Sequence, residues 1–150
     1  METVTPAIGR FEGTRFLFPL RVYFEDTDVM GIVYYPNYLK WFERARWEML
    51  RAAGVDLLAS QDDGRGAYAV SEVAIKYHRS ARLDDAITVV SEVTELRVSN
   101  VLVQQMAMRG DELLASASLR VVFIGPEGRP RRQPKEWMRI FEPLLSKDPQ

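Results

Sequence analysis

The sequence predicts a single α+β domain with a mainly antiparallel sheet, and three observations lead to that class. The chain has 150 residues, which suits one domain with a substantial core over residues 1–150. One long stretch of helical periodicity comes early, and four strand-like stretches follow it in series. Strands that follow one another without intervening helices pair as antiparallel neighbours, and the long helix must then pack on the sheet.

The first strand is predicted over Arg15–Phe24, where aromatic and branched residues dominate. The preceding residues 1–14 contain proline and glycine without any periodicity, and they predict a loose N-terminal lead-in. Pro19 lacks an amide hydrogen, so this strand is expected to lie at an edge of the sheet or to end there.

The long helix is predicted to begin near Pro36 and to end at Gly54. Proline suits the first turn of a helix, and glycine is the residue that most often ends one. Apolar residues between them recur at spacings of three and four and form one stripe: Tyr38, Leu39, Phe42, Ala45, Met49 and Leu50. Trp41 and Trp47 widen this stripe, which predicts a helix enclosed on several sides.

The rest of the chain predicts four strands and a short final helix. The strands are Ala67–His78, Ala86–Leu96, Val98–Met108 and Glu112–Ile124, with a turn at Ala81–Asp85, a hairpin turn at Arg109–Asp111 and a helix over Lys135–Leu145.

Composition excludes several classes of protein. Lys plus Arg number 20 against 21 Asp plus Glu, so no strong field favours nucleic acid or an anionic membrane. The absence of cysteine excludes disulfides and thiolate chemistry, and the single histidine, His78, excludes a histidine-cluster metal site. The sequence has no signal-peptide pattern and no apolar run of about 18 residues, so the protein is expected to be cytoplasmic with no membrane span. Neither a metal nor a cofactor is expected.

The segment from Tyr23 to Arg46 carries the most chemical information. It places two carboxylates, Asp26 and Asp28, in a loop directly before a helix N-terminus. Free amides at that terminus carry partial positive charge and can stabilise an oxyanion. A nearby carboxylate can act on the same carbonyl or on a water beside it. Alternatively, both aspartates only cap loop and helix amides.

This segment resembles the signature of the 4-hydroxybenzoyl-CoA thioesterase and YbgC acyl-CoA thioesterase family. The signature is Asp-x-Asp-x-x-Gly-(Ile/Val)-Val-(Tyr/Trp) before a helix with an acidic residue, here Asp26, Asp28, Gly31, Ile32, Val33, Tyr34 and Glu43. The similarity continues through Glu43–Arg46 and Ala81–Asp85 and covers roughly Phe16 to Phe141. It implies a hotdog fold, in which a curved antiparallel sheet wraps a long central helix, and a homodimer that is often doubled into a homotetramer.

The resemblance also implies the roles of individual residues. Asp28 falls on the catalytic carboxylate, as nucleophile or general base, and the backbone amide of Tyr35 falls on the group that polarises the thioester carbonyl. Many YbgC-type members have histidine at position 35, so the residue leaves the subgroup open. Gly31, Val33 and Tyr34 are predicted to contact the substrate.

For four further positions, the sequence allows either a role in the site or an ordinary structural or solvated role. Arg97 matches an arginine that holds the CoA phosphates in relatives, with Ser99 and Asn100 as loose matches; alternatively Arg97 is only solvated. Glu43 is either a partner near the site or half of a helix ion pair with Arg46.

The function implied by the resemblance is hydrolysis of an acyl-CoA or acyl-carrier-protein thioester to free acid and thiol. The alternative is a non-catalytic acyl-CoA-binding or scaffold protein of the same fold. The residues do not identify the acyl group.

Overall fold

The computed structural model describes residues 1–6 and 8–147. Its strands are β1 (Arg10–Glu12), β2 (Arg15–Arg21), β3 (Ala67–Tyr77), β4 (Ala86–Leu96), β5 (Asn100–Arg109) and β6 (Glu112–Ile124), and its α-helices are α1 (Asn37–Ala53), α2 (Leu57–Asp62) and α3 (Lys135–Phe141). The order of elements confirms the α+β class predicted from the sequence. Every helix within the described residues is too short or too polar to pass through a bilayer.

The strands form one six-stranded antiparallel sheet in the order β1-β2-β4-β5-β6-β3. β1 pairs with the start of β2. Part of the N-terminal segment that was predicted to be a loose lead-in is therefore a strand. β2 has only β4 beside it at Pro19, which agrees with an edge position for that residue. β3 closes the other side of the sheet and has a neighbour on one side only.

Alternate residues of β4, β5 and β6 point inward and are buried, as a half-covered antiparallel sheet requires. The inner face packs against α1 and forms one core with its apolar stripe. Register shifts place one extra residue in each of β3, β4 and β6, and bulges of this kind bend strands. The sheet thereby covers one long side of α1.

α1 begins directly after Pro36 and ends at Gly54, whose φ of 95° is the left-handed conformation that glycine adopts without strain. The predicted enclosure on several sides is wrong for the single chain. Leu39 and Trp47 remain 37% and 41% exposed, because the sheet covers only one side of the helix. α1 therefore has an uncovered flank that includes two large apolar side chains.

A buried polar network holds α1 against the sheet. The Gln105 carboxamide on β5 donates to the carbonyl of Phe42 at 2.9 Å and to the Ser91 hydroxyl at 2.8 Å, while its oxygen accepts from Arg46 at 2.9 Å. Because every buried polar group in this set has a partner, the network fixes how the helix lies on the sheet.

The other differences from prediction concern short elements and ends. α2 was not predicted, since its six residues are too few for a periodic pattern. The first strand stops at Arg21, because Val22 bonds to the carbonyl of Asp85 and a helical turn follows at Phe24–Asp26. The last helix ends at Phe141 and continues as a tighter turn over Glu142–Leu144.

Candidate active site

The loop that precedes α1 folds into a short hairpin. Its rungs join Asp26 to Tyr34, Thr27 to Val33 and Asp28 to Ile32. The amide of Gly31 closes the turn by donating to the carbonyl of Asp28 at 3.0 Å. Gly31 has a φ of 79°, a conformation that other residues adopt only with strain, so the turn explains this glycine. The hairpin ties the aspartate-bearing strand to the start of the helix.

The carboxylate of Asp28 is half-buried and has one oxygen engaged and one open. Its Oδ1 accepts a hydrogen bond from the amide of Met30 at 2.8 Å. Its Oδ2 has no hydrogen-bond donor within residues 1–6 and 8–147. Asp28 lines an open cleft with Phe24, Thr27, Val29, Gly31 and Leu83. The capping alternative therefore accounts for one oxygen of Asp28 and leaves the other available.

Asp26 has a different role from Asp28. Its Oδ2 accepts from the amide of Tyr23 at 2.8 Å, which caps the helical turn that begins at Phe24. Its side chain does not line the cleft that contains Asp28. The capping interpretation thus describes the carboxylate of Asp26.

The start of α1 presents one free amide, and it belongs to Tyr35. The carbonyl of Tyr34 accepts from the amide of Asn37 at 2.9 Å, so the peptide between Tyr34 and Tyr35 is held by the helix. In a trans peptide the N–H points opposite to the C=O, which directs the Tyr35 amide away from the helix. That amide donates to no acceptor among the described residues, and Pro36 has no N–H at all.

Aromatic side chains surround this helix start. The Tyr77 hydroxyl at the end of β3 donates to the carbonyl of Tyr35 at 3.1 Å. The ring of Tyr35 meets those of Tyr34 and Tyr77 edge to face, with centroids 5.4 and 5.9 Å apart. Burial and the neighbouring Tyr35 raise the pKa of Tyr77, which keeps its hydroxyl protonated as a donor. Tyr34 itself is exposed and available to a ligand, whereas its neighbour in the hairpin is not.

Val33 is that neighbour, and its buried side chain is not available for the predicted contact with substrate. Its side chain is 4% exposed and belongs to the core, whereas the next residue, Tyr34, is exposed. Its amide donates to the carbonyl of Ala81 at 2.8 Å. Val33 thus anchors the hairpin and offers no side-chain surface to a ligand in the single chain.

An apolar cavity opens beside the uncovered flank of α1. Its lining includes Leu50 on α1, Leu57 on α2, Ala67–Val70 on β3 and Val103 on β5, together with the polar residues Glu43, Arg46 and Gln61. Burial lowers the pKa of Arg46, and the charge of Glu43 opposes that shift. No ion pair within 4.0 Å joins Glu43 to Arg46 in the described part of the chain, although the charge of Glu43 acts on Arg46.

The three positions predicted to bind the CoA phosphates lie far from Asp28 in the single chain. Arg97 is exposed and pairs with Glu95 at 3.3 Å, and the side-chain oxygen of Asn100 accepts from Arg120 at 2.7 Å. Ser99 lies between them in the turn that joins β4 to β5. The hairpin with Asp28 lies near the opposite end of β4, which is eleven residues long, or about 35 Å at the usual rise.

The structure adds residues to the site that the sequence did not single out. Phe24 and Leu83 form the apolar walls of the cleft, Tyr77 holds the carbonyl of Tyr35, and Asn37 joins the hairpin to the helix. Leu83 lies within the Ala81–Asp85 motif that carries the resemblance, so that motif was its only signal. No sequence signal pointed to Tyr77, because it is distant from Tyr35 in the sequence and contacts it only in the folded chain.

Comparisons with known proteins agree with one another. The model of the thioesterase-like superfamily matches residues 22–141. The acyl-CoA thioesterase YbgC of Haemophilus influenzae is 38% identical over 130 residues, which are 86% of this chain and 96% of that protein. The acyl-CoA thioester hydrolase YbgC of Escherichia coli O6:H1 is 37% identical over 131 residues, covering 86% and 97% of the two chains.

Solved structures are similar over most of the chain as well. The crystal structure of a probable thioesterase from Bartonella henselae is 32% identical in sequence and superposes with a TM-score of 0.74. The match covers 79% of this chain and 98% of that one. The architecture and the sequence thus both point to thioesterases.

Proposed function

This chain belongs to the thioesterase-like superfamily with a YbgC-type hotdog fold and is a thioester hydrolase, and we propose that it hydrolyses acyl-CoA with Asp28 as the catalytic carboxylate. The observation that carries this proposal is the pairing of an open carboxylate oxygen on Asp28 with a free amide on Tyr35, both on one short hairpin at the start of α1. The YbgC relatives support the acyl-CoA substrate.

The chemistry needs these two groups and a water. As general base, Asp28 removes a proton from water while the water oxygen bonds to the thioester carbon. The carbonyl electrons move onto oxygen, where the Tyr35 amide donates a hydrogen bond to the oxyanion. When the carbonyl re-forms, the C–S bond breaks and the CoA thiolate leaves and takes up a proton. As nucleophile, the Asp28 carboxylate instead attacks the thioester carbon, the C–S bond breaks and the CoA thiolate leaves and takes up a proton. Water then hydrolyses the resulting mixed anhydride, which releases the free acid and regenerates the Asp28 carboxylate.

The magnitudes are adequate for an activated ester. General base catalysis contributes about 10²–10⁴-fold, and one oxyanion donor contributes about 10²–10³-fold. In the hairpin register Asp28 lies opposite Ile32, three residues before Tyr35, which is roughly 10 Å along a strand. The Asp28 side chain extends into this gap from one side. The thioester carbonyl extends into it from the other side, with its oxygen hydrogen-bonded to the Tyr35 amide.

We further propose that the active unit is a homodimer paired through β3. β3 is an eleven-residue edge strand, and on one side its backbone groups have no neighbouring strand from the part of the chain that the structure describes. An unpaired edge of this length is a template for pairing with another chain. Its inner residues Val70, Val73 and Tyr77 are also exposed, and the uncovered flank of α1 lies beside them. A second copy would cover both surfaces.

Such pairing would also complete the site. In an antiparallel pair of identical strands, the Tyr77 end of one β3 lies beside the Ala67 end of the other. The Tyr77 end carries Tyr35 and its hairpin, whereas Ala67–Val70 line the apolar cavity. The Arg97 turn lies at that same end of the sheet, since Ala67 and Asn100 both pair with the last residues of β6. Asp28 of one protomer would then face the cavity and Arg97 of the other, without a need for a tetramer.

Release of free thiol tests the function directly. Purified protein should release thiol from some members of a panel of short-chain, long-chain and aromatic acyl-CoAs, with acyl-carrier-protein thioesters included to compare the carrier. Turnover of acyl-carrier-protein thioesters alone would change the proposed substrate. Binding of acyl-CoA with no thiol released from any thioester would instead establish the scaffold alternative.

Replacing Arg97 by alanine tests the proposed phosphate contact. We expect the KM for acyl-CoA to rise about 3–10-fold with a smaller change in kcat, because one exposed charged contact contributes to binding and not to the reacting carbonyl. Steady-state kinetics at several salt concentrations measures both constants. An unchanged KM would assign Arg97 to its surface pair with Glu95.

A further inference from the structure

Asn37 is a buried polar residue at the first position of α1. It is 8% exposed, and the next two buried residues of α1, Tyr38 and Trp41, are aromatic. A buried carboxamide is costly unless its groups find partners. Its partners therefore indicate what the residue does.

The hydrogen bonds of Asn37 join the two parts of the proposed site. Its Nδ2 donates to the carbonyl of Asp26 at 2.8 Å, and that carbonyl also accepts the amide of Tyr34 at 2.9 Å. Its own amide donates to the carbonyl of Tyr34 at 2.9 Å. One bond thus fixes the strand that leads to Asp28, and the other fixes the peptide whose N–H belongs to Tyr35.

We propose that Asn37 is a positioning residue that sets the alignment of the Asp28 carboxylate with the Tyr35 amide. The proposal rests on the function proposed for these two groups and adds a residue that touches neither the thioester nor the attacking water. Alignment matters because displacement of a catalytic group by about 1 Å can cost on the order of 10²-fold in rate.

Asparagine is suited to this place for a specific reason. Its carboxamide donates to a carbonyl, whereas aspartate of the same shape would set a carboxylate oxygen against the carbonyl of Asp26. Aspartate in the first turn is nonetheless favourable to the helix, because negative charge stabilises a helix N-terminus. Asn37→Asp therefore removes the tie to the hairpin while preserving the helix.

Kinetics of Asn37→Asp and Asn37→Ala test the proposal. We expect kcat to fall about 10–100-fold in both, with KM within about threefold of the wild-type value and an intact fold by circular dichroism. Thr94→Val is the matched control, because it removes another bond from a part-buried side chain to a carbonyl, that of Leu102 on the outer face of the sheet. It should retain wild-type kcat. Loss of kcat in the control alone, or unchanged kcat in Asn37→Asp, would overturn the proposal.

A double-mutant cycle separates positioning from a general structural effect. If Asn37 acts through alignment of Asp28, then Asn37→Asp should change the residual rate of Asp28→Asn by less than about threefold. A full 10–100-fold effect in that background would show that Asn37 acts elsewhere. Wild-type turnover in Asp28→Asn would refute the catalytic proposal itself. An impaired Asp28→Asn beside a fully active Asn37→Asp would refute only the positioning role.

Discussion

Asp28→Asn is expected to lower kcat for acyl-CoA hydrolysis at least about 10²-fold, with little change in KM. Asparagine is neutral, so it can neither accept a proton from water nor attack the thioester carbon. Its side-chain oxygen can still accept the hydrogen bond from Met30 that Oδ1 of Asp28 accepts. The hairpin should therefore keep its shape, and the loss should appear in turnover.

The measurement is steady-state thiol release, with the unfolding midpoint determined in parallel. Asp63→Asn is a matched control: Asp63 Oδ1 also accepts from an amide two residues later, that of Arg65 at 3.1 Å, outside the cleft of Asp28. It should keep wild-type kcat. Near-normal turnover in Asp28→Asn would remove Asp28 from the mechanism.

Val73→Lys on β3 is expected to give a folded monomer with activity lowered about 10²-fold or more. In a monomer, the Asp28 hairpin would lack the cavity and Arg97 that the second protomer is proposed to supply. Val73 is 45% exposed in the single chain, so lysine is tolerated there. At a paired edge the same lysine would be buried without a partner, which is costly, and lysine on edge strands is a common device against pairing.

Size-exclusion chromatography with light scattering measures the assembly, for which a monomer has a mass of 17.2 kDa. Leu58→Lys on α2 provides the comparison, since Leu58 is also exposed but belongs neither to β3 nor to the cavity lining. It should change neither assembly nor turnover. A fully active Val73→Lys monomer would refute the composite site, and an unchanged dimer would place the interface elsewhere.

The parts of the fold that repeat a pattern were predictable from the sequence. β4 and β6 have the predicted bounds, because alternating apolar residues extend along their whole length and turns with glycine or aspartate bound them. α1 was predictable for the same reason, with Pro36 and Gly54 marking its ends. Resemblance then supplied the hotdog arrangement, which periodicity alone could not give.

The details of the site depended on contacts between distant residues. The sequence placed Asp26 and Asp28 in one motif, but only the fold shows that one carboxylate caps a turn while the other lines a cleft. The sequence also did not show that the side chain of Val33 points inward while that of Tyr34, the next residue in the motif, is exposed. Arg97 matched a motif, and nothing in the sequence showed that the sheet separates it from Asp28 within one chain.

The absence of an N–H on Pro36 has a consequence for how the reaction ends. Among residues 1–6 and 8–147, the Tyr35 amide is the one free donor at the start of α1, and one donor suits the single oxygen of a thioester carbonyl. A carboxylate product has two charged oxygens that prefer several donors, and it would lie beside the negative Asp28. If Asp28 and Tyr35 act as proposed, the free acid should depart quickly, and accumulated product should inhibit the enzyme little.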